Sequence, residues 1–228
     1  MSTSFNLSCV LFDLDGTLLN TAPDLTTALN KALDNFNFPC VSVAAITPYI
    51  SYGAAVMIEQ SLTQPASATL KAEILEWLLN YYESHIADYT HLYAGMPELL
   101  NSLEENNIPW GVVTNKRERL TFPLMDALKL SNRASSIICG DTTAHSKPHP
   151  EPMFAACQQI QVAPEQCLYI GDAAHDINAG KAANMKTLAV TYGYLKNEDT
   201  PQDWGSDALA HHPDDISLWI KNHTHAFN

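Results

Sequence analysis

The 228 residues carry a formal net charge of −13, with 46% hydrophobic and 16% charged positions: enough apolar material for a core, and no stretch that reads as disordered. Such acidity repels nucleic acid and anionic membranes, so neither is an expected partner, whereas a small phosphorylated metabolite is compatible once a metal and local cations screen it. No basic region precedes the first apolar run, no segment approaches the roughly 18 apolar residues of a membrane span, and five cysteines without a CxxC pair read as reduced thiols, so the expected setting is cytoplasmic.

The first element is a short apolar strand, Cys9–Phe12, that runs into Asp13-Leu14-Asp15-Gly16-Thr17. Folding alone gives no reason to end a buried strand on two carboxylates. From Asn20 to Tyr89 the periodicity is helical throughout. Leu25, Ala28, Leu29, Ala32, Leu33 and Phe36 form one stripe, Thr21 with Asp24 resembles a capping box, and a long helix near Thr69–Ile86 places Leu70, Ile74, Leu78 and Tyr81 on one face. Apolar runs then recur at Trp110–Thr114, Ile137–Cys139, Cys167–Ile170, Thr187–Thr191 and Ala208–His211. Helical patterns such as Pro97–Glu105 and Pro150–Ile160 separate them. Continuous apolar strands alternating with helices predict a parallel sheet covered on both faces. The expected architecture is an α/β core, residues 1–19 and 90–228, interrupted after its first strand by an all-helical cap, residues 20–89.

In an open parallel sheet, groups at the carboxyl ends of strands converge on one crevice. Those ends deliver Asp13 and Asp15, then Thr114-Asn115-Lys116, then Lys147 in a Ser-Lys-Pro loop, then Asp172 and Asp176. Clustered carboxylates call for a cation, and oxygen-only ligands suit Mg²⁺. A carboxylate about 3.5 Å from one phosphate charge is repelled by roughly 5 kcal/mol at an effective dielectric of about 20, too much for one lysine to offset against a dianion. With a divalent ion and Lys147 present, Asp13 can attack phosphorus, and Asp15 is placed to exchange a proton with the leaving oxygen and then with water. Lys116 reads equally as a substrate contact or a solvated charge. Asp176 reads also as a plain helix cap. His175 and the His211-His212 pair lack the ligand spacing of a zinc site.

Asp13-Leu14-Asp15-Gly16-Thr17, the strand ending in Thr114, Lys147 and Gly171-Asp172-Ala173-Ala174-His175-Asp176 resemble, in order, the four motifs of the haloacid dehalogenase superfamily, over the whole chain. The helical insert and Val113-Thr114-Asn115-Lys116 are similar to its phosphoglycolate phosphatase branch. The tail Val190-Thr191-Tyr192-Gly193-Tyr194 looks like that of N-acetylmuramic acid 6-phosphate phosphatases. The resemblance implies a Rossmann-like core and Mg²⁺-dependent phosphatase chemistry. It makes Asp13 nucleophile and metal ligand, and Asp15 acid/base and ligand through its backbone carbonyl. Thr114 and the Asn115 N–H become phosphate donors, Lys147 the neutralising cation, Asp172 a direct metal ligand and Asp176 a group that acts on the metal through water or from behind its ligands. Asp15 argues against the dehalogenase and phosphonatase branches. Ala173 and Arg117 depart from the usual pattern. Substrate specificity falls to the cap, where Ser51, Tyr52 and Gly53 precede a helix and read equally as a contact with the substrate's non-phosphate end or as a plain interhelical turn. The cap's basic residues are Lys31 and Lys71 alone, which weighs mildly against a small doubly anionic substrate such as 2-phosphoglycolate, although helix N-termini can supply positive potential. A hexose phosphate mutase or a non-catalytic binding protein on the same scaffold are the alternatives, with the chain a monomer or homodimer.

Overall fold

The computed structural model describes residues 5–225 and Phe227. Strand β1 (Cys9–Phe12) and a two-residue β2 (Leu19–Asn20) come first. Four helices follow: α1 (Ala22–Asn35), α2 (Val43–Ile46), α3 (Ala54–Ser61) and α4 (Ala68–Ser84), with a 3-10 turn at Thr47–Tyr52 before α3. Then come β3 (His91–Leu92), α5 (Met96–Glu105), β4 (Trp110–Val113), α6 (Glu118–Ala127), β5 (Ser136–Ile138) and α7 (Glu151–Ile160). The chain ends with β6 (Cys167–Gly171), α8 (Ala174–Ala182), β7 (Lys186–Val190), β8 (Ala208–Ala210) and α9 (Pro213–His223).

The six longer strands form one parallel sheet in the order β5-β4-β1-β6-β7-β8. The period of two explains its two cores. Val10 and Phe12 of β1 point to one face, where they meet Trp110, Val112, Leu168 and Ile170 under α5 and α9. Cys9 and Leu11 point to the other, against Val113, Tyr169, Met153 and Ala179 of the α7/α8 side. Each fully buried side chain of this kind contributes about 1.5–3 kcal/mol. The chain builds outward from β1 through β4 to β5, then returns to β6 on the other side. The switch point therefore lies at β1, where a crevice opens at the carboxyl ends of the strands.

The expected strands and helices are present with ends displaced by one or two residues, the usual fraying of element ends. The β2–β3 ribbon, with Leu19 opposite Leu92 and Asn20 opposite His91, was not expected. Pairs of two residues leave no periodicity to read. Helices α1–α4 pack on one another around Leu25, Ala28, Leu29, Leu33, Ile74, Leu78 and Tyr82, a cluster distinct from the two on the sheet faces that also takes in Leu120 and Tyr194 from beyond the insert. On α4 the buried tyrosine is Tyr82, four residues beyond Leu78. Tyr81 is only partly buried and stacks between Trp77 and His85. The capping box at Thr21 and Asp24 does not form. Thr21 gives its hydroxyl to Asp15, and the Asp24 carboxylate accepts the N–H groups of Tyr89 and Thr90 and the Thr90 hydroxyl, tying the entry of the insert to its exit.

Candidate active site

Asp13 continues the β1 ladder, its N–H donating to Ile170 O at 2.8 Å, so its buried carboxylate is aimed by the sheet itself. Lys147 Nζ lies 2.7 Å from Asp13 Oδ1, 2.6 Å from Asp176 Oδ1 and 2.8 Å from both Val113 O and the Tyr169 hydroxyl. Burial opposes the ammonium's charge, but Asp13 and Asp176 outweigh it and raise its pKa. Asn115 positions this lysine: its side chain accepts the Lys147 N–H at 3.0 Å and donates to the Lys147 carbonyl at 3.1 Å. The Asn115 side chain is therefore engaged within the protein. Thr114 is buried beside it, its Oγ1 accepting the Lys116 N–H.

Asp172, at the end of β6, is 1% exposed. Its Oδ1 accepts the Thr17 hydroxyl at 3.2 Å; its Oδ2 accepts the Tyr194 N–H at 2.8 Å and the Ser51 hydroxyl at 3.2 Å. Two glycines let the backbone approach this closely. A Cβ on Gly16 (φ +88°) would overlap Asp172 Oδ2, and one on Gly193 would overlap the Asp172 side chain. Asp176 both holds Lys147 and accepts the Ala173 N–H at 3.0 Å, so its helix-cap and site readings are both realised. Ala173 has no side-chain acceptor, so this is half a capping box.

The ligand oxygens of Asp13, Asp172 and Asp176 lie within 4.8 Å of one another. Burial, only partly offset by Lys147, pushes Asp13 up to about 7; burial and the charges of Asp13 and Asp176 push Asp172 well above the carboxylate range. Three buried carboxylates against one ammonium form a donor set suited to a hard divalent cation.

The Asp15 carboxylate is turned away from that trio. It meets Lys116 Nζ at 3.0 and 3.2 Å and the Thr21 hydroxyl at 2.6 Å. Lys116 also reaches the hydroxyl of Tyr82, on α4, at 3.0 Å: its side chain is 7% exposed, so it is not a solvated charge, and it bridges insert to sheet. Ser51 enters the site through Asp172. Tyr52 stands 41% exposed with Lys196 over its ring, and Gly53 (φ +93°) starts α3 with its own N–H spent on Ile50 O. Of the expected cap contacts, Ser51 alone touches the other expected site residues.

The sequence reading assigned no role to Tyr194, whose hydroxyl accepts the N–H groups of Thr21 at 2.6 Å and Ala22 at 2.9 Å. The signal was there: β7 is a fifth parallel strand of the same sheet, and its carboxyl end had to deliver its loop to the same crevice.

Residues 10–190 match the haloacid dehalogenase-like hydrolase family. The chain belongs to the haloacid dehalogenase-like hydrolases. This hydrolase is 40% identical over 208 residues to an N-acetylmuramic acid 6-phosphate phosphatase of Pseudomonas putida, covering 91% of this chain and 93% of that one. It is 38% identical over 210 residues to a phosphoglycolate phosphatase of Xanthomonas campestris, covering 92% and 94%. A crystal structure from Haemophilus somnus, described as a predicted phosphoglycolate phosphatase, superposes with a TM-score of 0.85 at 28% identity over 95% of this hydrolase and 98% of that chain. The expected enzyme class, phosphoric monoester hydrolase, is the class these relatives are named for. Among the described residues no helix is long and apolar enough to cross a membrane.

Proposed function

We propose that this hydrolase is a Mg²⁺-dependent phosphatase that cleaves a small phosphomonoester through an aspartyl-phosphate on Asp13. The observation that carries the reading is the buried set in which Lys147 holds Asp13 Oδ1 at 2.7 Å while Asp172 and Asp176 stand within 4.8 Å. Asp13, Asp172 and the Asp15 backbone carbonyl would hold the ion, with Asp176 acting through water. When bound, the ion would offset phosphate charge and polarise a phosphoryl oxygen.

Lys147 bonds Oδ1 of Asp13 and leaves Oδ2 for attack. That oxygen forms the bond to phosphorus as the ester P–O bond breaks, and Asp15 gives its proton to the departing alcohol. Water then attacks phosphorus, Asp15 takes its proton, and the Asp13–phosphorus bond breaks to release inorganic phosphate. The Thr114 hydroxyl and the Asn115 N–H are placed to donate to the phosphoryl oxygens. For the proton transfers Asp15 must exchange its contact with Lys116 for one with substrate. A cap of residues 20–89 moving on residues 1–19 and 90–228 supplies that exchange, because Lys116 is shared between Asp15 and cap residue Tyr82. The β2–β3 ribbon is the hinge.

The relatives' names give 2-phosphoglycolate and N-acetylmuramic acid 6-phosphate as substrates to try, in the reducing cytoplasm that five free cysteines fit. The test is inorganic phosphate release over a panel of metabolite phosphates, with Mg²⁺ and with EDTA. Release that requires Mg²⁺ and disappears in Asp13→Asn is expected. No release from any substrate, or full activity in Asp13→Asn, overturns the reading. An isomerised sugar phosphate in place of free phosphate would make the enzyme a mutase.

A further inference from the structure

Both candidate substrates carry a carboxylate besides the phosphate, and the site already holds an excess of negative charge. In the structure Lys147 pairs with Asp13 and Asp176 and Lys116 with Asp15, so both cations lie at the phosphoryl end of the site. The cap offers little: Lys71 pairs with Glu59 at 2.9 Å and Lys31 is exposed on α1. A further cation stands on the core, beside the cap segment that enters the site. Two segments converge on a single oxygen, Asp172 Oδ2: Ser51 from the cap and the Tyr194 N–H from the loop after β7. One residue beyond Ser51 and two beyond Tyr194, the same segments meet again, with Lys196 Nζ 3.6 Å from the centroid of the Tyr52 ring and 5.5 Å from that of Tyr49.

Local geometry builds this platform. Tyr49 and Tyr52 are three apart on a 3-10 turn, whose three-residue period sets their rings on one side. The Lys196 N–H is bonded to Asp199 Oδ2 at 2.8 Å, which fixes the lysine's backbone. Among the described residues no carboxylate forms an ion pair with its ammonium. A cation lying on aromatic faces keeps its full charge and loses rotamer freedom before any ligand arrives.

We propose that Lys196, presented on Tyr52 and Tyr49 at the rim of the site, is the specificity residue that receives the carboxylate of a carboxylated phosphomonoester. The inference rests on the phosphatase reading above.

The test measures kcat and KM on two matched pairs: 2-phosphoglycolate against 2-hydroxyethyl phosphate, and N-acetylmuramic acid 6-phosphate against N-acetylglucosamine 6-phosphate. Lys196→Met should lower the preference for the carboxylated member roughly tenfold, the scale of one charge-assisted hydrogen bond, with the change in KM rather than kcat. Lys196→Arg should retain more of the preference than Lys196→Met, and Lys196→Glu less. Tyr52→Leu should lower it and Tyr52→Phe, which keeps the ring, should restore it. The pair that shows the drop identifies which carboxylate is received. An unchanged preference in Lys196→Met overturns the inference. So does an equal rise in KM for both members of each pair, which would make Lys196 and Tyr52 a clamp on the cap and nothing more. A wild-type enzyme that releases phosphate from no member of either pair but does from an uncarboxylated phosphomonoester overturns this inference alone. One that hydrolyses no phosphomonoester overturns the phosphatase reading and this inference with it.

Discussion

Tyr194 donates its backbone N–H to Asp172 Oδ2 at 2.8 Å, while the oxygen at the far end of its side chain accepts the N–H groups of Thr21 and Ala22 at 2.6 and 2.9 Å. One residue therefore ties the candidate metal carboxylate to the first turn of α1, where the chain enters the helical insert. Thr21 offers no side-chain cap of its own there. In Tyr194→Phe the ring remains and two buried N–H groups lose their acceptor. A loss of about 1–3 kcal/mol is expected, read as a lower urea midpoint at unchanged slope. An unchanged midpoint would show that water replaces the phenol oxygen.

Three of the four site clusters are local events in the sequence, an apolar run that stops on a polar residue; Lys147 lies well beyond the end of β5 and was marked by its Ser-Lys-Pro loop. What joins the four was not legible. Lys116 could be placed only as a residue after a strand, and its partners Asp15 and Tyr82 lie 101 and 34 residues away. Thr21 and Asp24 have capping-box chemistry at the right spacing, yet both spend their side chains on distant partners, because tertiary donors and acceptors outcompete the local cap. For Asn115 only a backbone N–H aimed at the phosphate was expected; that its side chain also holds the lysine loop is something no spacing could reveal.

Lys147 is the single buried ammonium among three buried carboxylates. Lys147→Met removes the cation and leaves its partners uncompensated, at a cost of about 3–5 kcal/mol. Phosphatase activity should fall below detection, and added Mg²⁺ should recover part of the lost thermal stability because the acidic cluster then has another cation to hold. Lys147→Arg should not rescue activity, since a planar fork cannot replace a compact ammonium enclosed by four acceptors. A Lys147→Met protein as stable as wild type without Mg²⁺ would contradict the charge balance described for the site.

Mg²⁺ binding can be read apart from catalysis. A ligand of the folded state at about a hundred times its Kd adds about 2.7 kcal/mol of stability. Wild-type protein should therefore melt higher in Mg²⁺ than in EDTA. Asp172→Asn should abolish that difference. Gly16→Ala should abolish it too, although it removes no ligand, because the new Cβ overlaps Asp172 Oδ2 and the Tyr194 ring. A full Mg²⁺ response in Asp172→Asn would move the ion elsewhere.

Asp24 supplies the most stringent stability test. It is 4% exposed, and its Oδ2 alone accepts the Tyr89 N–H at 3.0 Å, the Thr90 N–H at 2.8 Å and the Thr90 hydroxyl at 2.7 Å; Oδ1 accepts the Tyr89 N–H at 3.1 Å. Every partner is a donor. In Asp24→Asn the amide oxygen can take the Oδ2 position, but the NH₂ group then faces the Tyr89 N–H, and the remaining bonds lose the strength that a charged acceptor gives them. A loss of about 2–3 kcal/mol is expected, larger than for Tyr194→Phe because donors from both exit residues are affected. The same carboxylate joins the entry of the helical insert to its exit, so native-state hydrogen exchange at Tyr89, Thr90 and His91 should accelerate more than at Val112 or Ile170 in the sheet. Uniform acceleration at all five amides would mean that insert and sheet open as one unit, and that the hinge assigned to the β2–β3 ribbon does not act independently.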